Sequence, residues 1–161
     1  MRVWLTRTYH FPASHRLHTA ALSDEKNALV FGKCNNPFGH GHNYSLEVTV
    51  SGEPDAETGL LVAPARLDRY VSEQVLQLFA NKNINLDVPA FQNLVPTTEN
   101  IAVVILKLLA RKWSTYFGSG GPQLTRIHIQ ETDRNGFELL LDKSARRSQA
   151  RENAGMKQNV G

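Results

Sequence analysis

From His42 to Val50 the chain alternates without a break. His42, Tyr44, Leu46, Val48 and Val50 fall on one side, and Asn43, Ser45, Glu47 and Thr49 on the other. Successive side chains of a strand point to opposite faces, so a period of two predicts a half-buried strand. It also requires that something cover one face of the resulting sheet. His40 lies in the same row as His42 and Tyr44, so two imidazoles aim into the covered space. There they either hydrogen-bond separately or share a metal.

The rest of the chain supplies the cover. VWLTRTYHF near the start reads as a first strand. Gly52, Pro54, Asp55 and Gly59 mark a turn, after which GLLVA reads as a third strand. From Pro64 the period lengthens, and Leu67, Val71, Val75, Leu78 and Phe79 form one stripe of a helix with proline in its first turn. A second helix follows PTTEN, with Thr97 or Thr98 as cap and Glu99 at its positive end. Its body, IAVVILKLLA, is apolar nearly all round and predicts burial on more than one side. LTRIHIQET and FELLL predict a closing hairpin, with Asn135-Gly136 supplying positive φ at the turn. The order β-β-β-α-α-β-β predicts an α+β fold, an antiparallel four-stranded sheet with two helices on one face.

Zinc in catalytic sites usually takes three protein ligands and keeps a position open. FPASHRLH offers His15 or His18 as the third, and the strand register, which puts Phe11, Ala13 and His15 on one face, favours His15. His10, His18 and His128 are scattered and have no partner spacing. Cys34, the single cysteine, is by default a small buried hydrophobe; beside a dication and Lys33 its thiolate would be favoured. Glu131 shares the apolar face of Ile127 and Ile129, where a carboxylate is costly unless paired. Residues 16–39 lack periodicity and lead into this cluster, which points to function.

At 161 residues the chain has room for one domain. No apolar run of membrane-spanning length occurs, no signal-peptide pattern opens it, and one cysteine forms no internal disulfide. These features predict a cytoplasmic protein without membrane partners. Residues 143–161 hold five of the eighteen Lys/Arg and one of the fifteen Asp/Glu, so the remaining chain carries a net charge of −1. The predicted organisation is a domain over 1–142 and a solvated basic tail over 143–161, with no nucleic-acid partner.

FPASHRLH, FGKCNNPFGHGHNY, the turn followed by GLLV, PTTENIAV and IQETDRN stand in the order and at the intervals of the 6-pyruvoyl-tetrahydropterin synthase family. The chain resembles that family over about residues 5–141, and more distantly the 6-carboxy-tetrahydropterin synthases of queuosine biosynthesis. Five residues separate Cys34 from His40, as in the pyruvoyl type. The resemblance implies a tunnelling fold, in which three subunits close a barrel and two trimers stack into a homo-hexamer. It implies Zn2+ on His15, His40 and His42, Cys34 as the acid–base thiol, and a pterin ring anchored by Glu131 with help from Thr97 and Thr98. The implied substrate is 7,8-dihydroneopterin triphosphate, converted by triphosphate elimination and internal redox of its side chain.

One motif departs from the pattern. Family members carry Leu-Asp-His at the end of the first helix, whereas this chain has Phe79-Ala80-Asn81. Asparagine exchanges no proton near neutral pH. A slow synthase, an aldolase-like cleavage of the same side chain and a non-catalytic zinc and pterin binder are the readings this leaves. Arg66 stands where an acid is expected, and could meet phosphate.

Overall fold

The computed structural model describes residues 1–141; the expected tail at 143–161 lies outside them. In chain order the elements are β1 (Val3–His15), α1 (Asp24–Phe31), β2 (His40–Gly52), α2 (Pro64–Val71), α3 (Gln77–Phe79), β3 (Lys82–Asn83), α4 (Ile84–Asp87), α5 (Thr98–Arg111), α6 (Trp113–Phe117), β4 (Gln123–Thr132) and β5 (Asn135–Leu140). The five strands form one mixed sheet in the order β3-β1-β2-β4-β5. The four long strands pair antiparallel, and the two-residue β3 runs parallel to β1 at the edge.

The expected α+β class is observed, but the sheet is five-stranded and mixed rather than four-stranded and antiparallel, because β3 adds a parallel edge strand, and two strand assignments need correction. GLLVA forms no strand. Asp55 instead ties the preceding turn to itself, accepting from the backbone of Thr58 and from the Thr58 hydroxyl. The Leu61 side chain covers Gly52, where a Cβ would come within 2.7 Å of it. The second correction is at the hairpin. Thr132 pairs with Asn135, so Asp133 and Arg134 make the turn, and Gly136 lies in β5 without positive φ.

The core lies between the sheet and the helices. Phe11, Tyr44, Leu46, Val48, Val50, Ile127 and Ile129 are buried from the sheet side; Leu67, Tyr70, Val71, Val75, Phe79, Ile101, Ile105 and Leu109 from the helix side. Each such side chain contributes roughly 1.5–3 kcal/mol by leaving water. A stripe repeating every four residues drifts about 40° per step around a regular α-helix. The helix from Pro64 corrects this with a π-helical turn over Ser72–Leu76, which keeps Leu67, Val71, Val75 and Phe79 turned inward. Leu78 falls outside the buried row. In α5 one flank stays open, with Val103 partly exposed and Lys107 exposed. Arg66 meets no anion among the described residues: it donates to the Tyr116 carbonyl and lies over the Tyr116 and Phe117 rings.

Asp68 of α2 fastens the helix to β1 by accepting from the Arg7 guanidinium and the Tyr9 hydroxyl. The Arg7 hydrogen bond is the main cause holding its carboxyl below the ordinary range. A depressed folded value stabilises the protein above the carboxyl's unfolded pKa, and the contribution disappears as pH falls through the folded one. The midpoint advantage of wild type over Asp68→Asn, read by thermal unfolding, is therefore expected to be constant above about pH 5 and to shrink below about pH 4. An advantage that grows in acid would contradict this.

Candidate metal centre and active site

Strand register assembles the site. His15 pairs directly with His40 across β1 and β2, Ala13 with His42, and Phe11 with Tyr44. Because alternate residues share a face, the three histidines converge on the helix-covered side. One ring nitrogen from each lies within 4.8 Å of those of the other two. Gly39, with φ of 70°, brings the chain over His15, whose carbonyl oxygen a Cβ would approach to 2.9 Å. That conformation and that gap both favour glycine.

Each ring is oriented by its surroundings. His15 is 1% exposed, and its Nδ1–H donates to the Pro96 carbonyl at 2.8 Å. A carbonyl only accepts, so the Nε2 lone pair is left facing His40 Nε2 at 3.2 Å. His42 Nε2 and His40 Nδ1 are buried with no hydrogen-bond partner. Burial, the first cause, lowers the pKa of His15 and of His40, with the neighbouring His42 adding to it at His40. Neutral imidazole is the form that binds a metal. Convergent lone pairs, an orphaned ring nitrogen and a hydrogen bond fixing the tautomer from behind all fit a bound divalent cation.

Glu131 comes from β4, where the register slips between Gln130 and Thr132. Its Oε1 lies 3.6 Å from His15 Nε2 and 3.8 Å from His42 Nε2. The Tyr44 hydroxyl donates to the same oxygen at 3.3 Å. Cys34 sits in a 3₁₀ turn, Gly32–Asn35, and is half-buried. Burial first, then the charge of Glu131, pushes its thiol up. The expected lowering depends on a bound dication; Lys33, the other neighbour invoked, is exposed and takes no part in the shift.

The aperiodic stretch 16–39 holds α1 and that 3₁₀ turn, secured by asparagines rather than an apolar stripe. Asn85 exchanges hydrogen bonds with both the N–H and the C=O of Arg16, and Asn35 donates to the Leu17 carbonyl. Leu17 N–H donates to the Cys34 carbonyl. The wholly buried Asn27 binds Thr19, Leu22 and Ser23. His18, outside the histidine cluster as expected, has its Nδ1 3.1 Å from Asn35 Nδ2. The helix α5 begins beside the cluster through Pro96. Thr97 Oγ1 caps it by accepting from Asn100 N–H, Thr98 is buried, and the Glu99 side chain is exposed.

Two features stand apart. Asn81 holds φ of 60° and donates its N–H to Pro12. It borders a shallow cleft at the β1–β3 edge of the sheet, whose lining takes in Pro12, Ser14 and Asn43 together with Ala13 and His42 of the histidine row. The larger cleft, about 690 Å³, lies at the far end of the sheet around Trp4, Ser51 and Trp113. It contains none of the predicted site residues. Among the described residues no helix is long and apolar enough to cross a membrane.

An α+β sheet that brings a buried and two half-buried histidines together beside a carboxylate, with a half-buried thiol near that carboxylate, makes a candidate metal site of the kind a pterin-synthase fold would carry. Residues 4–140 match the 6-pyruvoyl tetrahydropterin synthase family, and the chain belongs to that family. It is 44% identical over 131 residues to the 6-pyruvoyl tetrahydrobiopterin synthase of Homo sapiens, covering 81% of this chain and 86% of the human protein. The solved Caenorhabditis elegans 6-pyruvoyl tetrahydropterin synthase superposes with a TM-score of 0.78 at 35% identity, over 88% of this chain and 97% of that one. An Archaeoglobus fulgidus protein named putative 6-carboxy-5,6,7,8-tetrahydropterin synthase is 30% identical over 62% of this chain and 74% of its own length.

Proposed function

We propose that the protein is a zinc-dependent lyase of the 6-pyruvoyl-tetrahydropterin synthase type, acting on 7,8-dihydroneopterin triphosphate in a homo-hexamer. The observation that carries this reading is the convergence of three imidazoles, His15 buried and His40 and His42 half-buried, one with an orphaned Nε2, beside Glu131, with Cys34 near that carboxylate. His15, His40 and His42 would hold the metal. When bound, zinc supplies Lewis acidity that stabilises negative charge building on the substrate's side-chain oxygens. Cys34 takes a proton from side-chain carbon and returns it as triphosphate leaves. The two hydrogens that the side chain gives up on becoming pyruvoyl reduce the C=N bond of the dihydropterin ring, so the redox is internal to the substrate and no external hydride donor is needed. The test is to incubate the zinc-loaded protein with the substrate and identify products by mass. Triphosphate with a pyruvoyl product is expected; binding without turnover would overturn the lyase reading.

Glu131 is the expected ring anchor, but its position argues for work at the other end of the ligand. Its Oε1 is within 4 Å of two of the histidine nitrogens. A bicyclic ring whose side chain reaches those histidines carries its outer N–H groups a ring system farther away. The start of α5 offers Thr97, the buried Thr98 and the exposed carboxylate of Glu99 there. A charged hydrogen bond is worth about 1.5–3 kcal/mol. Glu99→Gln is therefore expected to raise KM about 10-fold or more with kcat nearly unchanged, and Glu131→Gln to lower kcat instead. Steady-state kinetics showing the reverse split would restore Glu131 as the ring anchor.

Ala80 and Asn81 favour a second reading, side-chain cleavage of the aldolase type on the same substrate, which calls on fewer proton relays. Loss of the side chain as a separate product in the same assay would identify it. A carboxy product would place the chain with the queuosine-pathway relatives.

A further inference from the structure

We propose that Tyr44 is a positioning residue that ties the ligand histidine His15 to Glu131, a role that rests on the metal-site reading above. Its ring belongs to the core: it is wholly buried and stacks on Phe11 at 5.3 Å with 20° between planes. Its edge is turned to the site, with the His42 ring at 5.6 Å and the His15 ring at 6.3 Å. The hydroxyl lies 3.4 Å from His15 Nδ1 and 3.3 Å from Glu131 Oε1.

Donor and acceptor roles follow from chemistry. Glu131 ionised only accepts, so the Tyr44 proton points to it. His15 Nδ1–H, directed mainly at the Pro96 carbonyl, supplies the hydroxyl oxygen with a second, longer contact. A continuous line results: His15 Nδ1–H to Tyr44, and Tyr44 O–H to Glu131. The Glu131 side chain is only 10% exposed, and Tyr44 is the one O–H donor to it among the described residues. A buried carboxylate without a donor is costly and tends to move. One hydroxyl thus steadies the back of a metal-binding ring and the carboxylate at its front. Groups hydrogen-bonded behind metal ligands typically contribute 10–100-fold to affinity or activity.

Phenylalanine keeps the stack on Phe11 and deletes only the hydroxyl, so Tyr44→Phe tests the role without opening the core. The measurements are zinc affinity by chelator competition, the visible spectrum of the cobalt-substituted protein, and kcat and KM. Tyr44→Phe is expected to weaken zinc binding about 10–100-fold, shift the cobalt bands, and lower kcat while KM stays within a few-fold. In a Glu131→Gln background the same substitution is expected to add little to the kcat loss, because the two groups act as a unit. Wild-type zinc affinity and cobalt spectrum in a folded Tyr44→Phe protein would overturn the proposal, as would additive losses in the double variant. Failure of the wild-type protein to bind zinc at all would instead overturn the metal-site reading, and this proposal with it.

Discussion

His15→Ala is expected to abolish stoichiometric zinc binding, reducing one metal per chain to a trace after dialysis. His15 is the most enclosed of the three imidazoles, and the only one held from behind by a backbone carbonyl at hydrogen-bond distance. The two remaining rings come from one strand, two residues apart, and cannot surround an ion alone. The loss should exceed the 10–100-fold typical of removing a group behind a ligand, and turnover should fall with it. Elemental analysis is the readout, and His10→Ala is the control, since His10 is exposed on the outer face of β1. Retention of one zinc per chain by His15→Ala would remove the trio from consideration. Chelation should lower the thermal midpoint of wild type only by what binding contributed. The core of Phe11, Leu46, Val48, Ile127 and Ile129 is built without the metal, so a domain that unfolds on chelation would mark a closed structural site instead.

The parts of this fold that sequence made legible are those where a period survives into three dimensions. The alternation of β2 put His40, His42 and Tyr44 on one face, and antiparallel pairing with β1 then brought His15 opposite His40. The unreadable parts are held by single polar contacts that leave no period. The α1 segment rests on buried Asn27 and on the Ser23 cap, and β3 exists because Asn81, Lys82 and Asn83 lie along Pro12, Ala13 and Ser14. GLLVA is too short a run to separate strand from covering loop; its Leu61 covers Gly52 and its Val62 joins the core. The place of Tyr44 in the site was hidden for the opposite reason. As a member of the apolar row it reads as core, and only the coordinates reveal where its hydroxyl ends. Asn81 is identifiable as a departure from the family motif, but its left-handed backbone and its hydrogen bond to Pro12 at the sheet edge are not encoded in a motif.

Cys34→Ala is expected to lower turnover by about 10²–10⁴-fold while leaving metal content intact, the range typical for removing a general acid–base. The thiol stands apart from the three converging nitrogens, so its loss should not disturb zinc. Burial and the Glu131 charge push the thiol up in the metal-free chain, so a group placed to take its proton is expected to raise the rate. Ala80→Asp with Asn81→His supplies one candidate. Histidine tolerates the left-handed conformation at 81 better than most residues, so the double variant should fold. Asn81 lies at the β1–β3 edge of the sheet, and in the proposed hexamer, whose active sites lie between subunits, a new relay there is expected to act on Cys34 across a subunit boundary. The expected result is a rise in rate that appears in the assembled oligomer and vanishes on dissociation, followed by activity against protein concentration. An equal rise in dissociated chains would mean that the segment reaches its own thiol. Unchanged turnover at every concentration, with Cys34→Ala still inactive, would mean that Cys34 draws its proton partner from elsewhere in the site.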